Sequence, residues 1–235
     1  PFGLSDCSPG ENFFYKFINY MKIQNKQIYQ QNFQALHIAE TKNYIKNVET
    51  PISIYHLGEN DRNYLYNLKK TIKFKDLMPK LPECLIEVWQ GIFNVAITQS
   101  LNTKKVGFIE FSNKKPCGLM VYTPENFRYK LDAICTWPTE PEKRVPFAGK
   151  TLFKIMFEDF LKTDAKFIDL DAVTNGPFNA VSKYMSLGFK QRGGENCIIA
   201  MRTGRDNVRE ISSALEKFIR IRMLQNTEDI PLSEV

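Results

Sequence analysis

The sequence predicts an α/β (α+β) fold, with a mostly antiparallel sheet flanked by helices. Three observations lead there. Strand-like runs at Lys105–Phe111, Cys117–Tyr122 and Tyr129–Trp137 are separated by turn-rich clusters, as in an antiparallel meander. A helical period follows at Gly149–Lys162, where Leu152, Ile155, Met156 and Phe160 share one face. Strand-like runs then return at Lys166–Val173, Phe189–Gln191 and Cys197–Met201, interrupted by a short helix over Asn179–Leu187.

Composition supports a folded chain. The 235 residues are 43% hydrophobic and 25% charged, values that exclude wholesale disorder. A chain of this length buries about 70% of its unfolded surface, so no disulfide or metal staple is required. Leu85–Ile97 is interrupted by Glu87, Gln90 and Asn94, and no run approaches the ~18 apolar residues of a membrane span. The start, Pro1-Phe2-Gly3-Leu4-Ser5-Asp6-Cys7, lacks the pattern of a secretory signal. Five scattered cysteines without a CxxC pair predict free thiols in a reducing compartment, the cytoplasm. With His37 and His56 the only histidines, no histidine-rich metal site is expected.

Outside the meander, the spacing predicts helices at both ends. Glu11–Tyr29 places Phe14, Phe17, Ile18 and Met21 at near-helical intervals, and a second helix is expected over Phe33–Val48, ended by Thr50-Pro51. Ile52–Tyr55 reads as a strand, and Glu59–Lys70 and Leu85–Leu101 as helices. Val208–Leu224 carries Ile211, Leu215, Phe218 and Leu224 and reads as a last amphipathic helix, before a frayed polar tail at Thr227–Val235. The expected organisation is an N-terminal helical extension (1–50), a main α/β domain (51–203), and a C-terminal helix and tail (204–235).

The chemistry concentrates at Arg144-Val145-Pro146-Phe147-Ala148-Gly149-Lys150-Thr151-Leu152, between a strand and a helix. A strand–turn–helix junction exposes backbone N–H groups at the positive end of a helix, where a phosphate binds well. Gly149-Lys150-Thr151 suggests a nucleoside-triphosphate loop, but that motif needs a glycine where Arg144 stands. The stretch instead resembles the acetyl-CoA loop of the GNAT (acetyl-CoA-dependent N-acetyltransferase) superfamily, [Q/R]-x-x-G-x-[G/A] followed by K-x-L. Arg144, Gly149 and Lys150-Thr151-Leu152 match, and Phe147 replaces the central glycine. Further on, Ala180-Val181-Ser182-Lys183-Tyr184-Met185-Ser186-Leu187-Gly188-Phe189 matches every fixed position of the superfamily's A-x-x-x-Y-x-x-x-G-F. Three residues before Ala180, the superfamily's asparagine is replaced by Pro177, with Asn175 and Asn179 nearby and out of register. Its V-x-P strand end has two registers here, Thr136-Trp137-Pro138 and Thr139-Glu140-Pro141. The resemblance covers about residues 51–202.

The resemblance implies a splayed sheet that binds acetyl-CoA and direct acyl transfer to a primary amine, with no metal. It implies Thr136, Arg144, Phe147, Ala148, Gly149, Lys150, Thr151 and Asn179 as cofactor-binding residues and Tyr184 as the general acid for the leaving thiolate. Asp132 and Glu110, on strands, are the candidate bases for the acceptor ammonium. The acceptor (small molecule, peptide or protein) is unspecified. Alternatives are a non-catalytic CoA-binding or interaction module, suggested by Phe147 and Pro177, and a transferase with an acyl-carrier-protein or tRNA partner, suggested by the net charge of +6.

Overall fold

A computed structural model describes residues 36–45, 48–138 and 143–223. The helix expected over Glu11–Tyr29, the Thr139-Glu140-Pro141 register and the tail Thr227–Val235 lie outside the described residues. Nine strands form one sheet: β1 (Leu36–Ile45), β2 (Val48–His56), β3 (Val106–Ser112), β4 (Lys115–Pro124), β5 (Arg128–Thr136), β6 (Phe167–Val173), β7 (Lys190–Glu195), β8 (Ile198–Gly204) and β9 (Ile219–Met223). Their order is β7-β8-β6-β5-β4-β3-β2-β1-β9, and every neighbouring pair is antiparallel except β5 and β6.

The six helices of the described residues are α1 (Arg62–Thr71, after a 3-10 turn at Glu59–Asp61), α2 (Phe74–Leu77), α3 (Glu83–Ser100), α4 (Ala148–Leu161), α5 (Ala180–Met185) and α6 (Arg205–Leu215). They cover both sheet faces, because each face carries its own apolar set. Leu65, Ile86, Phe93 and Ile97 of α1 and α3 pack with Ile109, Leu119 and Trp137 on one face. Leu152, Met156, Phe157 and Phe160 of α4, with Val208 and Leu215 of α6, pack with Ile54, Met120 and Ile168 on the other. The alternation along each strand sends successive side chains to opposite cores.

Two expected elements are corrected. Leu36–Ile45 is a strand, not part of a helix over Phe33–Val48. It pairs with β2 on one side and β9 on the other, and its burial alternates, with Ala39 and Thr41 buried and Lys42 exposed. Pro51, expected to stop a helix, sits in β2 opposite Lys42, beyond the ladder with β3, where its carbonyl accepts from the Ser112 hydroxyl at 3.3 Å. The expected helix over Val208–Leu224 ends at Leu215, and Ile219–Met223 adds an edge strand with Ile219 buried and Arg220 and Arg222 exposed. The sheet therefore runs past both expected boundaries, at 51 and at 203.

Helix α4 is held along its length by the segment that follows β8. The Arg205 guanidinium donates to the carbonyls of Phe160 and Leu161 in the last turn of the helix and of Thr163 and Ala165 just after it, placing a positive charge at the helix C-terminus. In mid-helix, the buried Lys154 ammonium lies 2.9 Å from Glu158 and 3.5 Å from Glu216. Arg205→Ala leaves four carbonyls short of a charged donor. It is expected to lower stability by about 2 kcal/mol in urea unfolding, with Arg205→Lys restoring part of the loss.

Candidate functional site

The site begins where two parallel strands part. Strands β5 and β6 pair only over Arg128–Leu131 and Phe167–Leu170. Beyond Leu131, β5 remains bonded to β4 while β6 continues with β8, so among the described residues one edge of β5 has no neighbouring strand from Asp132 to Thr136. Asp132 is the residue left over at a bulge, since Val121 pairs with Ala133 and Tyr122 with Leu131.

A cavity of about 490 Å³ opens at this notch. The end of β5 (Ile134–Pro138), the turn Arg144–Lys150 entering α4, and the α5 residues Ala180, Lys183 and Tyr184 line it, with Trp89 and Phe178 as an aromatic wall. Ala148 starts α4, and Phe147 before it is left-handed (φ 59°, ψ 11°), a region that costs a non-glycine residue roughly 1–2 kcal/mol. This is the position where the resembling motif has glycine. The Phe147 carbonyl accepts from both the backbone N–H (2.8 Å) and the hydroxyl (3.1 Å) of Thr151, which closes the first turn. Gly149 lies beside the Thr136 methyl group, 3.6 Å from where a Cβ would stand.

Three cations converge on the cavity: Arg144, Lys150 and Lys183. The Lys150 ammonium lies 5.3 Å from the Phe147 ring and that of Lys183 lies 4.4 Å from the Phe178 ring. Among the described residues, none of the three forms a carboxylate ion pair. Burial, and then the nearby Arg144 charge, lower the Lys183 pKa. Lys183 is absent from the site predicted by sequence. Its signal was its place one residue before Tyr184 on a helix facing the basic turn.

Tyr184 packs its ring against Phe153 and Phe189 and borders the cavity together with Cys135. Burial, with the Cys135 thiol adding to it, pushes the phenol pKa up to about 12, so the phenol keeps its proton at neutral pH. Burial also pushes the Cys135 thiol up, with Glu110 adding to the effect, so this cysteine is a neutral thiol and not a thiolate. Neither His37, beside Glu40, nor His56, against Phe108, lines the cavity.

Of the other residues expected from sequence, Thr136, Arg144, Phe147, Ala148, Gly149 and Lys150 line the cavity, and four do not. Thr151 is buried behind the turn. Asn179 caps α5, its side-chain oxygen accepting from Ser182 N–H at 3.0 Å. Asp132 is engaged by Lys105 at 2.8 Å, in a pair almost closed to water, and by the Thr123 hydroxyl at 2.6 Å. Glu110 is fully buried against Gly118, where a Cβ would collide with its carboxyl group, and neither carboxyl oxygen has a hydrogen-bond partner among the described residues.

No protein-family model matches the chain, and neither does any curated protein. Its structure does match solved structures. An uncharacterized protein from Bacillus halodurans is 12% identical, with 79% of this chain and 98% of that one covered and a TM-score of 0.51. FdhC, a nucleotide-linked sugar GNAT, is also 12% identical, with 81% and 99% covered and a TM-score of 0.50. Over much of its length the chain has the GNAT fold. PaiA N-acetyltransferase from Thermoplasma acidophilum, solved with coenzyme A, is 20% identical over 65% of this chain and 98% of that one, with a TM-score of 0.45.

Burial holds the Glu110 carboxyl well above its ordinary value of 4.5, so the folded protein keeps a proton that the unfolded chain releases. The associated stability is complete below about pH 4.5 and falls as pH rises towards the folded-state pKa. Glu110→Gln is therefore expected to raise the urea midpoint relative to wild type at pH 8, with the gap narrowing at pH 4.

Proposed function

We propose that the chain is an acyltransferase that moves an acetyl or other acyl group from its CoA thioester to a primary amine by direct transfer. One observation carries this reading. Among the described residues, an edge of β5 with no strand partner, the amide-bearing turn into α4, three cations with no carboxylate ion pair, and a protonated phenol all border one cavity. The GNAT fold of the chain supports it, and the coenzyme A bound to the Thermoplasma PaiA structure illustrates the donor.

In this reading the pyrophosphate lies on the N–H groups around Phe147–Thr151, with Arg144, Lys150 and Lys183 supplying positive charge. The pantetheine arm runs along the open edge of β5 and takes the hydrogen bonds that β6 would otherwise make. A β5 N–H donates to the thioester oxygen as negative charge develops there. The amine nitrogen bonds to the carbonyl carbon, the C–S bond breaks, the thiolate takes its proton from the Tyr184 hydroxyl, and the remaining surplus proton of the nitrogen returns to the phenolate through water. The buried ion pair of Asp132 and the sealed carboxyl of Glu110 give neither residue direct reach to an acceptor, so the ammonium proton passes to water. The free cysteines Cys84, Cys117, Cys135 and Cys197 suit a reducing compartment such as the cytoplasm.

Isothermal titration with CoA, followed by turnover of acetyl-CoA against a panel of amines, tests this reading. Lys183→Ala and Lys150→Ala are each expected to weaken CoA binding about tenfold, near 1.4 kcal/mol. Tyr184→Phe is expected to lower kcat by about 10²–10³ with CoA affinity unchanged. Absence of CoA binding at millimolar concentration would overturn the donor assignment. Binding without turnover of any amine would favour the non-catalytic alternative.

A further inference from the structure

The left-handed Phe147 is held by a residue from a distant part of the chain. Its ring meets the Phe218 ring, 5.8 Å between centroids. Phe218 lies between α6 and β9, and its backbone is fixed on both sides. Its N–H donates to the Leu215 carbonyl at 2.9 Å, and its carbonyl accepts from Tyr44 N–H of β1, also at 2.9 Å. Strand β9 then pairs with β1 from Asn43 to Ala39. The Phe218 side chain is 47% exposed, so filling the apolar core does not require a large aromatic ring at this position. What the ring does touch is the one left-handed residue at the turn that starts α4.

We propose that Phe218 is a positioning residue for the anion-binding turn, and that the α6–β9 segment is the brace that keeps Phe147 left-handed. A glycine would adopt this backbone conformation without a prop. A phenylalanine needs its ring held, and β9 docking on β1 brings the holding ring into place. The Phe147 carbonyl stays aimed at Thr151 and the N–H groups ahead of α4 stay aimed at the cavity only while that contact persists. The consequence for CoA rests on the function proposed above; the effect on the turn does not.

Two readouts test the brace on the full chain. The first is hydrogen exchange of the ligand-free protein, read at the Thr151 amide that donates to the Phe147 carbonyl. Phe218→Ala and Phe147→Ala are expected to speed exchange there at least tenfold, while Phe147→Gly with Phe218→Ala exchanges like Phe147→Gly alone. The second is CoA titration. The two alanine variants are expected to bind about tenfold more weakly than wild type, and Phe147→Gly is expected to recover most of the loss even with Phe218→Ala present. Unchanged Thr151 exchange in folded Phe218→Ala would overturn the brace. So would a Phe218→Ala penalty of the same size in the Phe147→Gly background. If wild type does not bind CoA, the donor assignment fails while the exchange measurement still decides the brace.

Discussion

The divergence of β5 from β6 after Leu131 and Leu170 is the constraint on which the rest of the site depends. Backbone N–H and C=O groups left without a strand partner must find other acceptors and donors, and here they face a cavity instead of a neighbouring strand. That places a row of directional groups beside the start of α4, whose own first amides are also unpaired within the helix. Two sets of open backbone groups thus meet at one notch. The side chains around it add charge (Arg144, Lys150, Lys183) and a proton donor (Tyr184) to a shape the backbone has already made.

The same divergence explains why the carboxylates fall elsewhere. The β3–β4–β5 part of the sheet is continuous and closely paired, so a carboxylate on it is either neutralised or sealed. Lys105 reaches Asp132 at the bulge, and Glu110 lies over the bare Gly118 with its proton retained. The charge presented to the cavity by the described residues is consequently all positive, which suits a phosphate-bearing donor.

Much of the central fold was legible because its elements carry local signals. Strand-like runs between turn-rich clusters marked β3, β4 and β5, and the helical period at Leu152, Ile155, Met156 and Phe160 marked α4. Gly188 in the second motif is left-handed (φ 81°), as expected for a residue that closes α5 ahead of Phe189. The outer strands were not legible, because β1 and β9 owe much of their identity to each other. Ile219, Ile221 and Met223 fit a two-residue period, but the apolar residues running on from α6 also fit a helix, and only the free edge of β1 decides between them. The site was readable where one motif held its parts together. It was not readable where the deciding partner lies far away in sequence, as Lys105 does for Asp132. Phe147 was marked by its mismatch with a glycine position, but nothing local pointed to Phe218.

Helix α4 and the segment after β8 are separated in sequence by β6, α5, β7 and β8, yet Arg205 closes one end of the helix and Glu216 reaches its middle. This has a consequence for synthesis. Chains emerge from the ribosome N-terminus first, so α4 is made well before the groups that complete it. Until Arg205 and Glu216 follow, the helix carries open carbonyls and a lysine whose burial is only partly compensated. The apolar face of α4 can dock as soon as the meander exists, but its ends settle only after β8 has been laid down. A chain ending before residue 205 would therefore have its principal helix without either latch.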